Sequence, residues 1–209
     1  MTEPRTSLTQ DDFVRVAFDI VDSDGLGALT MRALGDRLSV DATAAYRHFP
    51  SKERLIDAML DAILGEAADT PPAGESPRAR VLSVAVNVRN ALRAHPNVAG
   101  SLAIATGDFP SGLTLTRLLI SELRALGLTG ENLVRMYQTF EGYILGSSVF
   151  DTGGYPETYQ IRQARYRFLA VPEFDDVATS PENVERVTEE AFLETINVLL
   201  DRCEHLAHH

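Results

Sequence analysis

Two short stretches of helical pattern lie almost end to end between Thr30 and Pro50, and no other feature of the chain restricts its fold as tightly. Thr30 offers a hydroxyl N-cap for a helix over Met31 to Leu38, whose inward face is Met31, Leu34 and Leu38. Ser39-Val40 is a very short connector. Asp41 caps the next helix, its carboxylate accepting from the backbone N–H of Thr43 or Ala44, and Pro50 stops that helix after about Phe49. Val40 and Phe49 turn toward a small core. Upstream, a helix beginning after Thr9 has Asp11 and Asp12 at its positive end and collects Phe13, Val16, Ala17, Ile20 and Val21 on one face before Asp24-Gly25 ends it. Downstream, Ser51 caps a fourth helix that carries Leu55, Ile56, Met59, Leu60, Ile63 and Leu64 to about Ala68.

The stretch DTPPAGESP from Asp69 to Pro77 is a loop, and helical pattern resumes after it. The expected helices are Arg78–Ala94, Asn97–Thr106, Ser111–Leu126, Gly130–Asp151, Pro156–Ala170 and Pro181–Leu206, punctuated by Pro96, Pro110, Gly127, Gly153-Gly154 and Pro172. Within Tyr155–Val171 the residues Tyr159, Ile161, Tyr166 and Phe168 also suit extended structure or a loop. No convincing strand alternation competes elsewhere. The expectation is therefore all-α: an N-terminal three-helix unit over residues 1–52, and a larger helical unit over residues 53–209 with 53–68 as connector helix. No stretch approaches the roughly 18 apolar residues of a membrane span, and the N-terminus MTEPRTSLTQDDF lacks the apolar core of a secretory signal. These features suggest a cytoplasmic protein. Its single cysteine, Cys203, forms no internal disulfide and suits a small buried apolar position.

A net charge of −11 repels nucleic acid unless the basic groups are gathered in one place. Between Arg32 and Arg54 they are. Five basic residues (Arg32, Arg37, Arg47, Lys52, Arg54) face three acids (Asp36, Asp41, Glu53), a local excess of +2 that opposes the global sign. Two short helices joined by a tight turn form the geometry that offers the second helix to a major groove while the first braces it. Thr30, at a helix start, can give its hydroxyl and free backbone N–H groups to a phosphate, with Arg32 beside it. Thr43, Ala44 and Arg47 share an exposed face, and the small side chains of Ala42, Thr43 and Ala44 permit close approach to base edges. Tyr46 and His48 reach the flanking backbone, or pack half-buried as ordinary polar residues; Lys52 adds a cation at the next helix start.

The run LTMRALGDRLSVDATAAYRHFPSKERLIDAML resembles the DNA-binding domain of the TetR family of bacterial regulators, over about Gln10 to Leu64. The pattern Leu-x-Val-x-x-x-x-x-Tyr-x-His-Phe-x-x-Lys ending at Lys52 carries the likeness. The resemblance implies that Thr30, Tyr46, His48 and Lys52 contact phosphates and that Thr43, Ala44 and Arg47 face the bases. Two departures stand out. Ala45 replaces a larger aliphatic residue and Gly35 replaces the commoner alanine, and both are expected to loosen local packing, Gly35 by about 1 kcal/mol of helix propensity.

Such readers bind as two-fold dimers, because one short helix contacts too few bases. The C-terminal helix offers Phe192, Ile196, Leu199 and Cys203 as a docking stripe, and Gly142 and Gly146 clear one side of another helix; both resemble the helices of the TetR dimer bundle. The alternative for both is packing within one chain. A ligand that releases DNA must bind two shapes unequally, and a cavity between helices is the economical place. His95, Phe109, Met136, Tyr137, Phe140, Tyr143 and Phe150, with Tyr166 more remotely, are the candidate lining, suggesting a largely apolar effector. Cys203, His205, His208 and His209 have metal-capable side chains, but a frayed terminus explains them better. No Gly-rich phosphate loop, paired cysteine or supported nucleophile is present, so no metal, cofactor or catalysis is expected. The sequence thus points to a homodimeric repressor that binds a palindromic operator in double-stranded DNA, answers a small-molecule effector and has no membrane partner. The alternative is a helical small-molecule-binding or partner-binding protein with a degenerate reading head.

Overall fold

Side-chain caps define the N-terminal helices. α1 (Gln10–Asp24) opens with a capping box in which Thr9 Oγ1 accepts from the Asp12 N–H and Asp12 Oδ2 accepts from the Thr9 N–H. α2 (Met31–Leu38), α3 (Ala42–His48) and α4 (Lys52–Asp69) follow. Their first turns are closed by Thr30 Oγ1 on the Ala33 N–H (3.0 Å), Asp41 Oδ1 on the Thr43 N–H (2.8 Å) and Ser51 Oγ on the Arg54 N–H (3.3 Å). A cap of this kind contributes about 1 kcal/mol. These bonds come from a computed structural model of the chain that describes residues 8–105, 107–150 and 163–208; no strand occurs among the described residues.

The turn between α2 and α3 explains Gly35. Ser39 adopts the left-handed conformation (φ 55°), its N–H donates to the Asp36 carbonyl, and the Val40 N–H donates to the Gly35 carbonyl at 2.9 Å. This double closure folds the chain back so tightly that a Cβ on Gly35 would lie 2.9 Å from the Val40 carbonyl oxygen and 3.2 Å from the Ala42 nitrogen. Gly35 therefore permits close packing rather than loosening it, which corrects the expectation from helix propensity. Ala45, the other departure, is fully buried.

The remaining elements are α5 (Pro77–Ala94), α6 (Pro96–Ala99) with a 3-10 turn over Gly100–Ile104, α7 (Pro110–Ala125), α8 (Gly130–Phe150), α9 (Pro172–Val177) and α10 (Pro181–Ala207), with residues 163–168 also helical. Two elements differ from expectation. The helix expected over Asn97–Thr106 is split, its second half tightening to 3-10 geometry from Gly100, a poor helix former; Thr106 lies outside the described residues. Pro172, read as a break, instead begins α9, where its missing N–H leaves no bond unmade. Of the helix expected over Pro156–Ala170, residues 156–162 lie outside the described residues, as do Gly153, Gly154 and the side chains of Tyr159 and Ile161.

One core runs through the molecule. α4 packs against α1 as well as α5 and α7, and α5 packs against α7, α8 and α10. Phe13, Leu34, Leu55 and Met59 are buried at the N-terminal end, Leu92, Leu123, Phe140 and Leu200 farther along. Burial of such a side chain is worth about 1.5–3 kcal/mol. Gly127 (φ 97°) closes α7 by the same double bond pattern as Ser39, and its missing Cβ admits the methyl of Ala207 on α10.

Candidate nucleic-acid interface and effector cavity

α3 stands outward. Ala45 and Phe49 anchor it from beneath, while Thr43, Arg47 and Tyr46 (53% exposed) project into solvent and Ala44 is half-buried beside them. The structure thus brings the expected base-facing residues onto one open surface. Thr30 and Arg32 are exposed at the start of α2, where Arg32 lies 3.9 Å from Asp36, a pair open enough to water to yield to a stronger partner. The Thr30 hydroxyl accepts from Ala33 and keeps its own proton to donate. The Asp41 carboxyl is held below its ordinary value by the Thr43 N–H, so the charge that fixes α3 persists through neutral pH.

Two of the expected phosphate contacts are tied into the fold. His48 is half-buried with its ring 4.7 Å from that of Phe13, and its carbonyl accepts from the side-chain amide of Gln10. The half-buried packing role left open by the sequence therefore applies to His48 and not to Tyr46. Lys52 is half-buried, and Nζ donates to the Leu26 carbonyl at 3.1 Å, bracing the turn after α1. An ammonium has three donors, so this bond leaves two for another acceptor.

A cavity of about 460 Å³ opens between α4, α5, α7 and α8. Phe109 and Tyr137 line it as expected. The other expected residues do not. Met136 and Phe140 are buried without reaching the cavity, Tyr143 stacks on Phe192 at 5.7 Å, and Phe150 points outward at 82% exposure. Tyr166 packs edge-on against Phe174 of α9 and is not part of the lining. His95 sits where α6 meets the N-terminal helices, its ring 4.7 Å from Phe18 and its Nε2 3.3 Å from Glu66. Next to it, the Asn97 amide donates to the Val21 carbonyl at 3.1 Å. The polar lining missed by the sequence reading is Glu141, Thr116 and Asp108. Thr116 Oγ1 lies 3.2 Å from the Tyr137 hydroxyl, which donates to Glu141. Because Tyr137 has one proton and gives it to Glu141, Thr116 is the donor in the first bond. Burial, and then the bond to Glu141, raise the Tyr137 hydroxyl above its ordinary value, so it stays protonated. The signal for Glu141 was present: it follows Tyr137 by one helical turn and interrupts an apolar face.

The expected docking stripe is also corrected. Phe192, Ile196 and Cys203 are at most 2% exposed within a single chain, Phe192 lying under the guanidinium of Arg89 and against Tyr143, while Leu199 is half-buried. An amphipathic helix gives its strongest apolar stripe to its own core. Gly142 and Gly146 have open space where a Cβ would stand, and Val198 on α10 is 59% exposed.

Among the described residues no group of three metal-capable side chains occurs, and no helix is long and apolar enough to cross a membrane. Two family models match the chain: bacterial regulatory proteins of the tetR family over residues 14–59, and the tetracyclin repressor-like C-terminal domain over residues 70–201. An HTH-type transcriptional regulator of Saccharopolyspora erythraea is 31% identical over 67% of this chain, and the HTH-type transcriptional repressor DrrR1 of Streptomyces coeruleorubidus is 30% identical over 69% of it. The chain spans 59% and 54% of the lengths of these two relatives. Among solved structures, a possible TetR family transcriptional regulator from Streptomyces coelicolor A3(2) superposes with a TM-score of 0.77 at 25% identity, covering 95% of this chain and 100% of that one.

Proposed function

Because this chain belongs to the tetR family of bacterial regulatory proteins, we propose that it is a homodimeric transcriptional repressor, released from a palindromic operator by a small, largely apolar effector. The observation that carries this reading is the outward presentation of Thr43, Arg47 and Tyr46 on a helix anchored by Ala45 and Phe49. Thr43, Ala44 and Arg47 meet base edges, and Thr30, Arg32, Tyr46 and the two remaining donors of Lys52 hold the phosphates. His48 supports the surface through its contact with Phe13 and offers at most a ring edge to the backbone. The reading head occupies residues 1–52 and α4 connects it to the effector and dimer unit. Dimerisation uses the open side of α8 and α10, around Gly142, Gly146, Val198 and Leu199, in place of the buried stripe. Such a regulator acts in the cytoplasm and requires neither turnover nor a cofactor.

The proposed release follows from where the cavity lies. Its wall includes Leu64 of α4 and Gly112 of α7, and Asp61 of α4 accepts from both the Ser111 N–H (2.9 Å) and the Ser111 hydroxyl (3.2 Å). An occupant that shifts the start of α7 therefore moves α4, which changes the spacing of two reading heads in a dimer. Selection from random duplexes at moderate salt tests the reading. A two-fold symmetric site should emerge, and Arg47→Ala should relax base preference at one position of each half-site with a cost of about 1–3 kcal/mol. Failure to enrich any duplex would overturn it.

A further inference from the structure

We propose that the cavity is built to select an organic cation: an aromatic or aliphatic body seated on its apolar walls with an ammonium or similar group delivered to Glu141. The inference rests on reading this cavity as the effector site and adds the chemical class of the effector. Leucine, valine and isoleucine side chains form most of the wall, and among the described residues that line it none is lysine, arginine or histidine. Its two ionisable acids are Glu141 within and Asp108, exposed at the lip. Tyr137 is the one described residue that donates to Glu141, and no described basic side chain pairs with it. The donor chain Thr116 to Tyr137 to Glu141 ends on the carboxylate, so the two hydroxyls of the cavity converge on Glu141.

A carboxylate facing an apolar cavity, with no counter-ion among the described residues, loses hydration whenever an occupant enters. A neutral occupant offers at most a neutral hydrogen bond in compensation and an anion adds repulsion. A cation satisfies the charge and removes the penalty, so the same apolar body should bind in the order cation, neutral, anion. The net charge of −11 acts in the same sense at longer range, concentrating cations and depleting anions around the protein.

Three probes on one skeleton test this on the full-length protein: anthracenylmethylammonium, the neutral anthracenylmethanol and anthracene carboxylate, titrated by fluorescence at neutral pH. The ammonium should bind about tenfold more tightly than the alcohol, the size of one charge-assisted hydrogen bond, and the carboxylate more weakly than either. In Glu141→Gln the ammonium's advantage should shrink to within about threefold while the alcohol still binds. Leu145→Trp, which fills the cavity, should remove all three, with thermal unfolding confirming that each variant is folded. Equal affinities, a preference for the carboxylate, or an advantage that survives in Glu141→Gln overturns the choice of a cation while leaving the cavity as effector site. Abolition of ammonium binding by a chelator of divalent metals overturns it too, since the carboxylate would then be serving a metal. Probes that all fail to bind, or that bind undiminished to folded Leu145→Trp, overturn the effector-site reading itself.

Discussion

Gly35→Ala should destabilise the protein, although helix propensity alone favours alanine by about 1 kcal/mol. The added methyl would meet the Val40 carbonyl oxygen at 2.9 Å, backbone that cannot retreat without undoing the turn. Overpacking of this kind costs about 1–3 kcal/mol, so the urea midpoint should fall, with weaker DNA binding as α3 tilts. Cys203 makes a second prediction. Burial, and then Glu204, push its thiol up to about 11, and the reactive species is the thiolate. A disulfide-exchange reagent at mildly alkaline pH should leave the folded protein unlabelled and label it once denaturant is added. The thiol is the form favoured by folding, so this contribution to stability is complete below the ordinary value of 9.0 and declines as pH rises toward about 11. At this scale the sequence disclosed caps better than contacts. The Asp41 bond to the Thr43 N–H is local and follows from residue type and spacing, whereas the pairing of His48 with Phe13 joins residues far apart in the chain and required the fold.

Helix α7 has no side-chain cap of its own, since Phe109 occupies the N-cap position. Asp61 supplies the cap from α4, and Asp61→Ala should therefore cost about 1–2 kcal/mol by thermal or chemical denaturation. The same variant should blunt effector-driven release from DNA more than it weakens DNA binding itself, which a competition titration with and without effector resolves. Most element boundaries were legible because Thr9, Thr30, Asp41, Ser51 and Pro50 mark starts and stops by local chemistry. α9 was not. A proline reads equally well as the end of one element or the first residue of the next, and only the Phe174 and Asp175 N–H groups bonding back to the Val171 carbonyl decide for the second. Periodicity also shows which residues share a helix face without saying what that face meets, which is why Tyr137 reaches the cavity while Tyr143 of the same helix stacks on Phe192.

For the whole molecule, the proposed dimer places the exposed side of α10 in its interface. Val198→Glu should yield a monomer by sedimentation with unchanged helicity, and operator affinity should fall by roughly two orders of magnitude as one half-site's contacts are lost. An unchanged mass would place the contact elsewhere. The sequence reading chose as docking stripe a face that the single chain already buries, because Phe192, Ile196 and Cys203 form the more continuous apolar stripe and a single chain claims that stripe first. α4 belongs to two neighbourhoods at once, since it lies against α1 and also against α5 and α7. Heads from related regulators are therefore not interchangeable cassettes. A graft joined at Ser51 would set its α1 on a foreign α4, and one that brought its own α4 would meet a foreign α5 and α7. On the proposed reading, rewriting the exposed Thr43 and Arg47 in place disturbs neither seam, so new specificity is better introduced on the open surface of α3 than by transplanting the head.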